Sequence, residues 1–283
     1  MEHTDIEDLR RQIDVVDDQM HDLLMQRVQL VEQIGRLKAE GVAQGSISAM
    51  RPKREIEIMR RLWNRHKGSL EKYELIRIWR EIISACVNIQ KPLTVAVFMP
   101  ERGMGNIEIA RDYFGAYTPM LSCRSTSLVL KELTQGEADV AILSLHDDKQ
   151  TCWWYTVAQE YKRSVTIFLK LPLTGDQGRG DGRSVFALSK QPFEESGEDK
   201  MLLVAETDGT LSLSTLDLVL KAGGIPINAI CDSYMPDMMR KAYLFEVEGY
   251  LSDKDERLNA IAEKENGKIT MLRVIGGYSV AFF

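Results

Sequence analysis

Arg27 stands where an apolar residue is due. Between Leu23 and Leu30 the 3-4 spacing of a helical packing seam calls for a hydrocarbon side chain. A guanidinium placed there needs a nearby anion or a route to water. Lys38 follows eleven residues later. At 100° per residue that is only about 20° around the helix axis from Arg27 and roughly 16 Å along it, so two cations flank one groove. The chemistry such a groove offers is the holding of a small dianion. Pairing with internal carboxylates, or snorkelling to water, is the alternative for both. Gln90 and Cys86 lie one turn apart on a later helix, on the side that carries Trp79 and Ile82. Glu55 opens a middle helix and reads as a first-turn acid at the positive end of the helix dipole. Arg10 reads as an exposed base near the chain start.

The elements that must position these residues follow from periodicity. Ile6, Leu9, Ile13, Val16, Met20, Leu23, Leu30, Ile34 and Leu37 mark one helix from about Thr4 to Glu40, with Thr4 and Glu7 as a capping box and Gly41 and Gly45 at its end. Such a helix runs roughly 50 Å, longer than a 90-residue globule is wide, and a second copy of itself is the simplest partner. A second helix is expected over about 53–66 and a third over about 70–90, closed by Pro92. From Leu93 the pattern alternates strand and helix, as in an α/β unit. Residues 175–183 form a glycine-rich loop and 189–199 a second linker. The tail, 201–275, reads strand, helix, strand, strand, helix, strand, the ferredoxin-like order.

The chain has 283 residues and a net charge of -6, with 44% apolar residues. That charge argues against a general nucleic-acid surface, though not against a local basic pocket. Residues 1–91 hold 16 Lys and Arg against 15 Asp and Glu, and the remainder 20 against 27. No run of about 18 apolar residues suggests a membrane span, and the polar start suggests no signal peptide, so a cytoplasmic protein is expected. Cys86, Cys123, Cys152 and Cys231 are widely separated, and His3, His21, His66 and His146 form no ligand-spaced cluster, so neither disulfide nor metal is expected.

The pieces Leu9-Arg10-Arg11-Gln12-Ile13-Asp14-Val15-Val16-Asp17, Leu24-Met25-Gln26-Arg27, Ile34-Gly35-Arg36-Leu37-Lys38, Arg51-Pro52-Lys53-Arg54-Glu55 and Ile82 through Gln90 resemble the helical chorismate mutase family. The resemblance implies an all-α homodimer built on the first helix. It implies that Arg27 and Arg10, the latter from the partner subunit, clamp the two substrate carboxylates, and that Lys38 and Gln90 donate to the ether oxygen. Glu55 would accept from the ring hydroxyl, and Cys86, where the family commonly has serine, would lie against a carboxylate. Chorismate to prephenate is a unimolecular [3,3] rearrangement, so a catalyst for it works by holding a folded conformer and stabilising charge on the breaking C–O bond, without cofactor or metal.

A fainter resemblance covers the rest. Phe98-Met99-Pro100-Glu101, Cys123-Arg124-Ser125 and Gly136-Glu137-Ala138-Asp139 are similar to the first lobe of a prephenate dehydratase, and Tyr243 through Gly249 with Ile275-Gly276-Gly277-Tyr278 to an ACT domain. Arg102-Gly103-Met104 replaces the expected Gly-Thr turn, no threonine precedes Arg183-Ser184-Val185-Phe186, and residues 93–190 are too few for two lobes. The expected layout is therefore multidomain: a three-helix mutase domain over 1–91, a degenerate dehydratase-like α/β region over 92–196 and an ACT-like domain over 197–283. Chorismate and prephenate are the expected partners, with a homodimer and no nucleic acid or membrane. A bifunctional mutase and dehydratase, an isochorismate pyruvate-lyase and a non-enzymatic aromatic-precursor sensor stay open as alternatives.

Overall fold

The computed structural model describes residues 5–40, 50–99, 104–145, 152–161, 164–173 and 182–280. Within them the chain falls into two compact units, one made of Met1–Met50 with Ala85–Pro92, the other of Arg51–Ser84 with Leu93–Phe283. The division runs through the expected helical domain rather than along its end.

In the smaller unit, α1 (Ile6–Ala39) is a single helix of 34 residues, about 51 Å at the ordinary rise. Its N-cap is Asp5, which makes no side-chain cap bond; the expected capping residue Thr4 lies outside the described residues, as do Gly41 and Gly45. Glu7 pairs instead with Arg10. No residue of α1 is buried.

The larger unit holds α2 (Pro52–Arg65), which starts with proline at its first helical position, where the missing N–H costs nothing. Most of α3 (Lys72–Gln90) belongs here too, its last turns lying in the smaller unit. Trp63 of α2 and Tyr73 of α3 meet edge to face. There follow β1 (Val95–Phe98), α4 (Gly105–Phe114), β2 (Met120–Cys123), α5 (Thr126–Gln135), β3 (Val140–Leu143), a short helix α6 (Trp153–Thr156) that continues in π geometry through Tyr161, β4 (Thr166–Leu171) and β5 (Val185–Ser189). The tail supplies β6 (Asp199–Thr207), α7 (Leu213–Ala222), β7 (Ile227–Tyr234), β8 (Lys241–Glu248), α8 (Glu256–Lys264) and β9 (Ile269–Ser279). Ser125, Ser212 and Asp255 cap α5, α7 and α8 with side-chain oxygens that accept backbone N–H bonds.

The α/β region and the tail, read from the sequence as separate blocks, share one nine-stranded sheet in the order β2-β1-β3-β5-β4-β9-β6-β8-β7. Within it β9-β6-β8-β7 is antiparallel, as the ferredoxin-like order requires. β1, β3 and β5 are buried at every position, which suits their unbroken apolar runs. Leu202, Val204 and Leu244 pack on one sheet face with Trp153 and Trp154 of α6, and Leu203, Ala205 and Phe245 pack on the other with α7 and α8. The linker over 190–198 is not a free tether: buried Asp199 accepts hydrogen bonds from Ser196 and the Gly197 N–H, and Arg60 of α2 donates to the carbonyls of Ser196 and Val280. No helix among the described residues is long and apolar enough to cross a membrane.

Candidate active site

Two faces run along the C-terminal half of α1. Leu23, Leu30, Ile34 and Leu37 are 47–63% exposed. Leu24, Val28, Val31, Gly35 and Lys38 are half-buried and lie about 110° around the axis from that seam. Arg27, also half-buried, sits at the border between them. Arg27 is thus not a plain interruption of the apolar seam; together with Lys38 it belongs to the side turned toward the last turns of α3. The 3-4 count alone follows the seam and passes over the second face, whose spacing from Leu24 (i, i+4, i+7, i+11) was the signal available for it.

On that side the first helix and the end of α3 bring four of the expected residues together. Arg27 Nη1 donates to Cys86 Sγ at 2.6 Å, and Lys38 Nζ donates to Gln90 Oε1 at 3.2 Å. Gly35 lies between the two cations, where a Cβ would meet Gln90 Cγ at 3.5 Å, an ordinary contact. Cys86 is buried and Gln90 half-buried. Arg27 makes no ion pair among the described residues. A half-buried guanidinium whose partner is a neutral thiol keeps most of its fork of donors for something else, and a carboxylate fits that fork two N–H bonds at a time. The internal-carboxylate reading of Arg27 therefore finds no carboxylate to name among those residues.

Arg10 and Glu55 are elsewhere. Arg10 is exposed, paired with Glu7, and seventeen residues from Arg27, about 25 Å along the same helix, so one chain does not bring the two together. Glu55 is in the larger unit and 5% exposed. Its Oε2 accepts from Arg80 Nη1 at 2.7 Å and from the Tyr113 hydroxyl at 3.0 Å, and its Oε1 from the Arg51 N–H at 3.3 Å. Arg80 stacks on the Tyr113 ring at 3.6 Å and donates to the Tyr113 carbonyl. Both oxygens of Glu55 are thus engaged in fastening α2 to α3 and α4, a setting that differs from the expected role toward a ring hydroxyl. Burial, with the Glu55 charge alongside, pushes the Tyr113 hydroxyl well above its usual pKa, so it stays a donor. Sequence reasoning missed Arg80 and Tyr113 because their meeting depends on how α3 and α4 pack.

The dehydratase-like pieces are largely committed to structure. Ser125 caps α5, and Phe186 is buried between Trp153 and Tyr278. Asp232 accepts from Trp154 Nε1 at 2.9 Å, and Asp208 closes a turn with Thr210. Residues 100–103, with Pro100 and Glu101, lie outside the described residues, as do residues 174–181 of the glycine-rich loop.

Comparison with known proteins agrees with the residue reading. Residues 9–91 match the family Chorismate mutase type II. The chain is 28% identical over 141 residues to a bifunctional chorismate mutase/prephenate dehydratase of Neisseria gonorrhoeae, covering 50% of this chain and 37% of that one. It is 26% identical over 176 residues to the protein of the same name from Aquifex aeolicus, covering 60% and 47%. The matches thus span less than half the length of these relatives. Among solved structures, a prephenate dehydratase from Streptococcus mutans aligns with TM-score 0.44 and 14% identity, over 67% of this chain and 99% of that one. A quorum quenching acylase, GqqA, aligns with TM-score 0.49 and 14% identity, over 66% and 95%.

Proposed function

We propose that the mutase-type domain rearranges chorismate to prephenate. The observation that carries this reading is the half-buried Arg27 guanidinium, without a carboxylate partner among the described residues, on the same side of α1 as Lys38 and facing Cys86 and Gln90. In this reading Arg27 holds one substrate carboxylate beside the Cys86 thiol. Lys38 donates to the ether oxygen as the C–O bond breaks, and Gln90, whose amide oxygen accepts from Lys38, turns its NH2 to the same oxygen. The step needs no proton transfer, so donors fixed in place suffice.

The second carboxylate needs another cation. Arg10 fits that role only from a second copy, and the exposed apolar seam of α1 supports one: Ile6, Leu9, Ile13, Val16, Met20, Leu23, Leu30, Ile34 and Leu37 are all 47–63% exposed. Covering such side chains stabilises by about 1.5–3 kcal/mol for each one fully buried. Glu55 is left out of the clamp, its oxygens being held by Arg80, Tyr113 and Arg51.

We further propose that dehydration of prephenate has been lost, on the replaced turn after Glu101 and the lack of a threonine before Arg183. A bifunctional enzyme is the second reading, favoured by the names of the relatives. Incubation of the purified full chain with chorismate separates them. Prephenate accumulating is the expected result; phenylpyruvate beyond the acid-catalysed background establishes the bifunctional reading, and unconsumed chorismate removes both.

A further inference from the structure

A cavity of about 270 Å³ opens in the larger unit where β4 meets β9. β4 and β9 run parallel and share one register position, Ile167 opposite Gly276. There the strands touch so closely that a Cβ on residue 276 would fall 2.1 Å from the Ile167 carbonyl oxygen, and the glycine has φ +125°, so no other residue allows the contact. The cavity lies beside this contact, with Thr166 of β4 and residues 273–276 of β9 in its lining.

The lining has two characters. Val157 and Val165 come from the core on one sheet face, Met201 and Leu251 from the core on the other, so the interior is apolar. Phe193 and Tyr250 add a stacked pair of rings, 6.3 Å apart and 22° from parallel. Against this stands Arg273, half-buried on β9. It donates one N–H to the Ala158 carbonyl and makes no ion pair among the described residues. Half-buried Asp253 and exposed Lys254, of opposite charge, also line it. An apolar pocket with one oriented guanidinium takes a ligand with a hydrocarbon body and a single negative end, and the volume is close to the lower limit of small-molecule sites, about 300 Å³.

We propose that this cavity binds a small monocarboxylate with an aromatic body, its carboxylate on Arg273. Its residues belong to a different unit from Arg27 and Lys38, and the proposal does not depend on the mutase reading. The test is calorimetric titration of the full chain carrying Arg27→Ala, so that the N-terminal cations do not compete, with phenylacetate and with its neutral isostere phenylacetamide. Phenylacetate is expected to bind about tenfold or more tightly than the amide, the effect of one charge-assisted hydrogen bond. Arg273→Gln should erase that preference. Ser252→Trp, at the half-buried rim, should close the cavity and abolish binding of both ligands without changing the circular dichroism spectrum. Equal affinity for acid and amide, undiminished binding after Ser252→Trp, or no binding of either ligand overturns the proposal. Should Arg273→Gln fail to fold, the acid-to-amide ratio and Ser252→Trp still decide.

Discussion

The first helix and the central sheet both carry apolar faces, and they use them in opposite ways. β1, β3 and β5 bury every residue within the chain. α1 buries none of its 34, although its apolar spacing is the most regular in the sequence. Periodicity says that a face will be covered but not by what. A sheet strand finds its cover in the helices that follow it; the apolar edge of α1 is exposed in the single chain, and the proposed second copy is what would cover it. The polar groups divide in the same way: Glu55 is saturated inside the larger unit, while among the described residues Arg27 in the smaller one donates to a thiol and pairs with no carboxylate.

The strongest way to break this contrast is Ile13→Asp, on the exposed face of α1 and about 21 Å along the helix from Arg27. It should convert a dimer into a 32.2 kDa monomer by light scattering and remove mutase activity, while the far-ultraviolet spectrum of the larger unit persists. A variant that stays dimeric and active would show that α1 is covered by something else. Arg27→Ala comes next. It should lower kcat/KM for chorismate by about 100-fold or more without loss of folded structure, in line with removal of one preorganised donor; near-normal turnover would refute the site.

In the larger unit, Arg80→Met leaves the Glu55 charge buried without its cation and should cost about 3–5 kcal/mol in urea unfolding, the ordinary penalty for half of a buried pair. A loss under 1 kcal/mol would mean that Glu55 is hydrated. A smaller effect is expected at Glu246. Burial raises its pKa, but hydrogen bonds from Lys200, Tyr278 and Asn228 outweigh this and hold it below the ordinary glutamate value of 4.5. The stabilisation is therefore present above about pH 4.5 and lost as pH falls through the lower folded value, so Glu246→Gln should flatten the acid limb of the stability curve. Smallest of all, Cys86→Ser replaces a weak donor with a better one beside Arg27 and should hold or modestly lower KM. A large loss would give the thiol a separate role.

Much of this was legible from residue order. The 3-4 spacing from Ile6 to Leu37 set α1 to within two residues at each end, and the tail's alternation set β6, α7, β7, β8, α8 and β9 in order. Arg27 and Lys38 stand out by type and helical phase, Cys86 and Gln90 by the resemblance to the mutase family. Some short elements were not legible: β2 has four residues at the sheet edge, and β4 and β5 flank a glycine-rich stretch that hides their period, whereas the four-residue β1 and β3 show as apolar runs. What the tertiary structure alone decided was partnership. Glu55, a first-turn acid by sequence, became a buried anchor because α3 brought Arg80 and α4 brought Tyr113 to it. Two blocks read as separate domains became one sheet because Gly276 lets β9 lie against β4. Local spacing fixes which side of an element is apolar or charged, since that depends only on neighbours in the chain. The identity of what meets that side depends on residues far away in sequence, and for Arg27 the described contacts leave room for a ligand.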